Sequence, residues 1–309
     1  MFCPFAAHRC YLSLHSMNRK DFLAAMAVLP VGGLYMQLQE LGKITRDYQR
    51  TTLMPAMFIG HGNPMNAIYD NAFTRRLKEM GESVKQLPNA ILVVSAHWLT
   101  RGTHVLTAAR PATIHDFGGF PQALHEVQYP APGSPELARE TAKLIKSTQV
   151  VEDDQWGLDH GTWTVLKHMY PEANIPVFQL SIDYYKPPAY HYQLAQELRE
   201  LRKRGVLIIG SGNLVHNLRK ISFSDNAAPF DWALEFDATV KNRVERRAFD
   251  DLLHYERLGE AAKLSVPTPD HYFPFIYGLG LAEPDEEIRF TYEEIQNGSI
   301  SMRCFQVGE

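Results

Sequence analysis

The stretch Ala90-Ile91-Leu92-Val93-Val94-Ser95-Ala96-His97-Trp98 constrains the fold of this chain more than any other. A short, unbroken run of Val, Ile and Leu reads as a strand buried on both faces, as in a parallel α/β sheet. The run stops at an imidazole, and open α/β sheets bind ligands in the crevice outside the carboxyl ends of their strands. The same pattern recurs in Pro55-Ala56-Met57-Phe58-Ile59-Gly60-His61-Gly62 and in Val206-Leu207-Ile208-Ile209-Gly210-Ser211-Gly212-Asn213-Leu214-Val215-His216. Three apolar strands thus each deliver a histidine at or just past one end. The pattern predicts a single α/β domain with a central, mostly parallel sheet flanked by helices. Because neutral imidazole is the commonest protein metal ligand, it also predicts a metal site at the carboxyl-end rim of the strands.

Composition narrows the donors. The 309 residues hold 13 His but only Cys3, Cys10 and Cys304, an odd and terminal set that can make neither a Cys-rich zinc site nor a disulfide framework. Any metal must therefore be held by His with Asp or Glu. A net charge of -4 gives no electrostatic case for nucleic acid or an anionic membrane, which call for clustered Lys and Arg. The partner is expected to be a small molecule, with an oligomer compatible with the same composition. No apolar run reaches the ~20 residues of a membrane span.

The first fifty residues stand apart from this pattern. Met17-Asn18-Arg19-Lys20-Asp21-Phe22-Leu23, followed by an apolar stretch to Met36, has the basic and apolar parts of an export signal. Arg19-Lys20 is not a twin arginine, however, and no small-x-small cleavage site follows Gly33 convincingly. Residues 1–50 therefore read as an N-terminal extension or signal-like helix, and residues 51–309 as the catalytic domain. The cytoplasm is the expected compartment, with periplasmic export as the alternative carried by residues 17–36.

Along the rest of the chain, Asn66 to Val84 reads as a crossover helix and His104 to Thr107 as a short strand. Ser134 and Pro135 open a helix running to about Ser147, as an N-cap with Pro at the first helical position. Further helices are expected from Val165 to Met169, Tyr190 to Arg204, Asp231 to about Leu264 and Phe275 to Leu281. A strand is expected from Ile175 to Ile182, and the tail from Ile288 to Phe305 should add antiparallel strands that close the sheet. Between Pro111 and Pro135 lies a long Gly- and Pro-rich stretch whose aromatic content argues for a functional loop.

Each histidine alone has a bland explanation as a capping or packing residue. Together, His61, His97 and His216 follow apolar strands, while His160 and His271 each stand beside an Asp ahead of a helix, an arrangement that suits one convergent pocket. His104, His125, His168, His191 and His254 read as surface or packing residues. His115, in Ile114-His115-Asp116-Phe117-Gly118-Gly119, belongs either to a lid over a substrate or to a simple turn. Gly210-Ser211-Gly212-Asn213 lacks the Lys and the Gly spacing of a phosphate loop, and its glycines are expected to let the backbone turn sharply ahead of His216.

These segments resemble a known family. Gly60-His61-Gly62-Asn63-Pro64-Met65, Ser95-Ala96-His97-Trp98, Thr113 to Pro121, Leu158-Asp159-His160-Gly161-Thr162-Trp163, Gly212 to Asn217 and Pro267-Thr268-Pro269-Asp270-His271-Tyr272 are similar, in order, to the signature segments of the class III extradiol ring-cleavage dioxygenases of LigB type, in their 4,5-DOPA dioxygenase-like subgroup. The resemblance runs from about Pro55 to the C-terminus. It implies a mononuclear Fe(II) centre that binds a catechol such as DOPA, with O2 beside it, and cleaves the ring next to the diol. It places metal ligands at His61 and His97, with His271 where many relatives carry a carboxylate. His216 falls at the position of a catalytic base and in this subgroup is alternatively a fourth ligand, while His160 matches an acid/base histidine. An all-imidazole site suits Zn(II) as well as Fe(II). His115, Phe117, Trp98, Trp163 and Tyr272 are the candidates for substrate contact. The rival readings are a zinc-dependent hydrolase and a non-catalytic metal-binding member of the same fold.

Overall fold

The computed structural model describes residues 53–224 and 227–309; the expectations for residues 1–50 lie outside them. Six strands form the central sheet: β1 (Ala56–Gly60), β2 (Ala90–Ser95), β3 (Val177–Gln179), β4 (Val206–Gly212), β5 (Ile288–Tyr292) and β6 (Cys304–Val307). In space they run β3-β2-β4-β1-β6-β5. β3, β2, β4 and β1 are parallel, with Ile91 opposite Val177, Ala90 opposite Val206 and Ala56 opposite Ile208. β6 lies antiparallel to β1 and β5 antiparallel to β6, so the tail closes the sheet as its alternation predicts.

The apolar runs are explained by two cores, one on each face. Side chains alternate across a strand, so Phe58, Leu92, Val94 and Ile208 enter one core while Met57, Ile59, Ile91, Val93 and Ile209 enter the other. On the first face lie Leu194, Leu198 and Leu201 of the helix Pro188–Arg202, Phe236 and Val240 of Asp231–Glu245, and Phe275 and Ile276 of Phe273–Leu281. The second face is covered by Phe73, Leu77 and Met80 of Ala72–Ser83 and by Trp163 and Leu166 of His160–Met169. Each fully buried Leu, Ile or Phe contributes about 1.5–3 kcal/mol relative to an exposed one. Among the described residues no helix is long and apolar enough to cross a membrane.

Local chemistry moves several expected boundaries. The crossover helix begins only at Ala72, because Asn71 and Thr74 form a reciprocal capping box; the residues before it make a separate 3₁₀ turn, Pro64–Ala67. The helix expected from Val165 starts at His160, since Asp159 caps it through the Thr162 amide. The strand expected from Ile175 to Ile182 divides into β3 and a short piece, Ile182–Asp183, that pairs with Leu99–Thr100. The helical region after Asp231 is broken into Asp231–Glu245, Phe249–Leu253, the 3₁₀ turn Tyr255–Leu258 and Glu260–Ser265. Pro135 does open a helix, but Ser134 makes no side-chain cap.

The role expected for the glycines of β4 needs correcting. Neither Gly210 nor Gly212 has a positive φ, and both lie within the strand. A Cβ on Gly210 would stand 2.2 Å from the Pro274 carbonyl oxygen, and one on Gly212 2.3 Å from that of His271. The missing side chains let the segment 271–274 press onto the strand, which brings His271 to the sheet's rim.

Candidate metal centre

Five of the predicted histidines meet at the carboxyl ends of β1, β2 and β4. His61 leaves β1 with its amide donating to the Gly212 carbonyl, and Ala96, one residue before His97, donates to the Ser211 carbonyl. These two backbone bonds hold both imidazoles over the end of β4. His160 is the first residue of its helix, His216 lies beyond β4 with its amide bonded to Ser265, and His271 precedes the helix Phe273–Leu281. The ring centroids of His61, His97 and His271 are 5.0–5.4 Å apart. Their donor atoms all fall within 4.8 Å of one another, as a shared ion requires.

The Nε2 atoms of His61 and His97 are 3.1 Å apart. Two nitrogens each about 2.1 Å from one ion, at bond angles between octahedral and tetrahedral, lie about 3.0–3.4 Å from each other. The donor geometry therefore fits a divalent metal ion.

Hydrogen bonds behind the rings choose the tautomers. Ser211 Oγ donates to the Gly161 carbonyl at 2.6 Å, which uses its only proton. Toward His61 Nδ1, 3.0 Å away, the same Oγ can then only accept, so Nδ1 carries the hydrogen and Nε2 presents a lone pair. Asp270 Oδ2 does the same for His271, accepting from Nδ1 at 2.5 Å. Second partners of this kind orient metal-binding imidazoles and raise their basicity.

Three of these rings, those of His61, His97 and His216, are also kept neutral. Burial pushes His61 and His97 well below the ordinary histidine range, and the neighbouring imidazoles lower them further, since positive charges this close repel. His216 is pushed down to about 2, by burial and then by His271. For Asp270, burial opposes ionisation but the hydrogen bond and charge of His271 prevail, and its carboxyl stays well below the usual range.

His216 and His160 flank this trio differently. His216 stacks on His271, with centroids 3.5 Å apart and planes 8° from parallel. It groups with Asp270 and His271 as potential donors, rather than with His61 and His97. The His160 ring lies 3.8 Å from that of His97. Its Nδ1 donates to Asp116 Oδ2 at 3.0 Å and its amide to Asp116 Oδ1 at 2.9 Å. Burial opposes ionisation of Asp116, but the hydrogen bonds and charge of His160 hold its carboxyl below the usual range. Gly161 completes the packing: a Cβ there would come 2.6 Å from Ser95 Oγ and 2.9 Å from His97 Cδ2.

The aromatic candidates divide by burial. Phe117 is half-buried, its ring 5.5 Å from that of His160, and His115 lies beside it with Nε2 2.9 Å from the Val127 carbonyl oxygen. Trp163 is fully buried, contacts both rings and donates its indole N–H to the Ile114 carbonyl, which anchors the loop. Trp98 is buried and stacked on Trp156. Tyr272 is buried in an aromatic cluster with Tyr255 and Phe275, its hydroxyl donating to the Leu252 carbonyl. Of the histidines expected to pack, His168 bonds the Asn66 carbonyl and His191 the Tyr277 hydroxyl. Asp116, which orients His160, carries no signal in the sequence beyond its place in a signature segment, and Ser211, which orients His61, lies just ahead of one.

The family model of the catalytic LigB subunit of aromatic ring-opening dioxygenases matches residues 50–299. The chain belongs to the LigB family. Its sequence is 46% identical over 265 residues, 84% of this chain and 96% of the relative, to a protein of Escherichia coli (strain K12) named 4,5-DOPA dioxygenase extradiol. A Beta vulgaris protein of the same name is 38% identical over 255 residues, 81% of this chain and 94% of the relative. The crystal structure of an uncharacterized Escherichia coli K12 protein, 42% identical, superposes with a TM-score of 0.72 and covers 82% of this chain and 100% of that one. This LigB-family chain is accordingly an extradiol ring-opening dioxygenase on an α/β fold.

Proposed function

We propose that this enzyme uses O2 to open the ring of a catechol, DOPA or a compound close to it, at one divalent metal ion held by His61, His97 and His271. The observation that carries this reading is the convergence of three imidazoles, two of them with Nδ1 hydrogen-bonded to an acceptor so that Nε2 keeps the lone pair. The names of the relatives support the substrate class. Bound there, the ion would lower the pKa of the catechol oxygens and hold O2 beside the ring. Iron(II) is the proposed metal for turnover, with zinc(II) able to occupy the same donors.

The chain's own groups would handle the protons. Ring opening requires a base for the second catechol proton and an acid for bond breaking, both within reach of imidazole chemistry. His160 is assigned the acid/base role, with Nε2 as the atom that exchanges the proton because Nδ1 is committed to Asp116. His216 is the remaining imidazole of the site, and metal analysis of His216→Ala separates its two roles. Full metal content with lost turnover makes it the base; loss of metal makes it a fourth donor. Phe117 and His115 are proposed to face the substrate ring, with Trp163 packed against both, while Trp98 and Tyr272 stay in the cores beneath.

Reconstitution with Fe(II) under anaerobic conditions, followed by an oxygen-electrode assay on a catechol panel that includes DOPA, tests the proposal. Oxygen uptake with appearance of a yellow ring-opened product is expected. No uptake with any catechol would overturn it.

A further inference from the structure

The contact between Asp116 and His160 does more than fill space. Two acceptor oxygens of one carboxylate meet two donors of one residue, the amide and Nδ1–H of His160, from 44 positions away in the chain. The helix that begins at His160 does not need Asp116 as its cap, because Asp159 already accepts from the Thr162 amide. The Asp116 side chain is only 16% exposed, and Oδ2 also lies 3.6 Å from His97 Nδ1. An ionised carboxylate accepts and cannot donate. His160 therefore keeps its hydrogen on Nδ1, and the ring has one place left to take up or give a proton, Nε2.

We propose that Asp116 is the positioning residue of the acid/base histidine: it fixes the tautomer and the ring plane of His160 so that Nε2 alone exchanges protons. The functional part of this inference rests on the proton-transfer role given above to His160. The structural part does not, and can be measured without turnover. Asparagine probes this role, because it keeps the shape of Asp116 but has one acceptor oxygen for two donors. Whichever donor loses its acceptor then faces an amide NH2. If that donor is Nδ1, the amide hydrogen-bonds to the ring nitrogen and favours the opposite tautomer.

The first experiment is the ¹⁵N–¹H correlation of the histidine ring nitrogens in the zinc-loaded wild-type protein, with His160 assigned by its absence in His160→Gln. A protonated Nδ1 and an unprotonated Nε2 are expected, and the reverse overturns the proposal with no need for any variant of Asp116. Asp116→Asn should then bind zinc as the wild type does, lose the single Nδ1–H tautomer, and lower kcat about 10–100-fold with little change in KM, the usual scale for a partner that orients an active-site imidazole. In a His160→Ala background the same substitution should cost nothing more, since it acts through the missing ring. A tautomer lost in Asp116→Asn with kcat unchanged, a tautomer unchanged in Asp116→Ala, which leaves Nδ1 no carboxylate acceptor, or a loss of kcat that persists in the absence of His160, would overturn the proposal. Failure of the wild-type enzyme to open any catechol would instead sink the functional reading, and the spectrum would still decide the role of Asp116.

Discussion

His61 and His97 come from different strands, yet their Nε2 atoms stand 3.1 Å apart at the sheet's rim. Because Ser211 holds the hydrogen of His61 on Nδ1, the His61 Nε2 atom has only a lone pair to offer across that gap. A cation between the two nitrogens makes use of both. His97→Ala is accordingly expected to abolish metal retention, whereas His160→Ala should keep the metal and slow turnover by about 10²–10⁴-fold, the usual weight of a general acid or base. Metal content after dialysis, measured beside kcat, checks the split; equal loss of metal in both variants would refute it.

Ser211→Ala removes the acceptor that orients His61 and frees the ring to take either tautomer. The expected cost is about 10–100-fold in metal affinity, with the fold intact. Competition with a chelator of known affinity measures it. Asp270→Asn should fall in the same range for His271, whose Nδ1 is bound to Asp270 Oδ2. Wild-type affinity in both variants would mean that the hydrogen bonds behind the rings do not set the site.

Gly161→Ala tests the packing under His97. The new methyl would meet Ser95 Oγ at 2.6 Å and His97 Cδ2 at 2.9 Å, so either the helix or the imidazole must shift. Crowding of this kind in a packed interior typically costs about 1–3 kcal/mol. Thermal unfolding should show that loss, together with weaker metal binding. A variant with the stability and metal affinity of the wild type would show that His97 has room to spare.

The strands and the histidines at their ends were legible because both are local signals: an apolar run buried on two faces has few polar positions, and a histidine closing it is conspicuous. What orients those histidines was not legible, because Ser211 reaches His61 from 150 positions away and Asp116 reaches His160 from 44. A serine at the end of a strand or an aspartate in a loop has too many ordinary uses to be singled out. Trp98 and Tyr272 show the converse limit. Their place beside signature histidines marks them for the pocket, but the apolar surface of a large ring is most favourably buried, and both are held in the cores. Gly210 and Gly212 look like turn residues in the sequence; only the partner segment at 271–274 reveals that close approach is what excludes a side chain.

Acid should weaken the protein in a defined window. Burial is the main cause that keeps His61, His97, His191 and His216 neutral in the folded chain, with His191 pushed down to about 3 and His216 to about 2. In the unfolded chain the same side chains protonate near 6.5. Between about pH 6.5 and 3 the unfolded state therefore binds more protons than the folded one, and the free energy of unfolding falls as pH falls. Metal acts in the opposite direction, because it binds the folded state through neutral imidazoles; at 100 times its Kd it adds about 2.7 kcal/mol. The Tm of chelator-treated protein should thus hold steady between pH 7 and 8 and drop progressively below 6.5, while added metal raises Tm by about 5 °C or more at pH 7.5. A metal-free Tm indifferent to pH from 6.5 to 4.5 would mean that the folded protein takes up protons as readily as the unfolded chain, and that this cluster does not reserve its lone pairs for a metal.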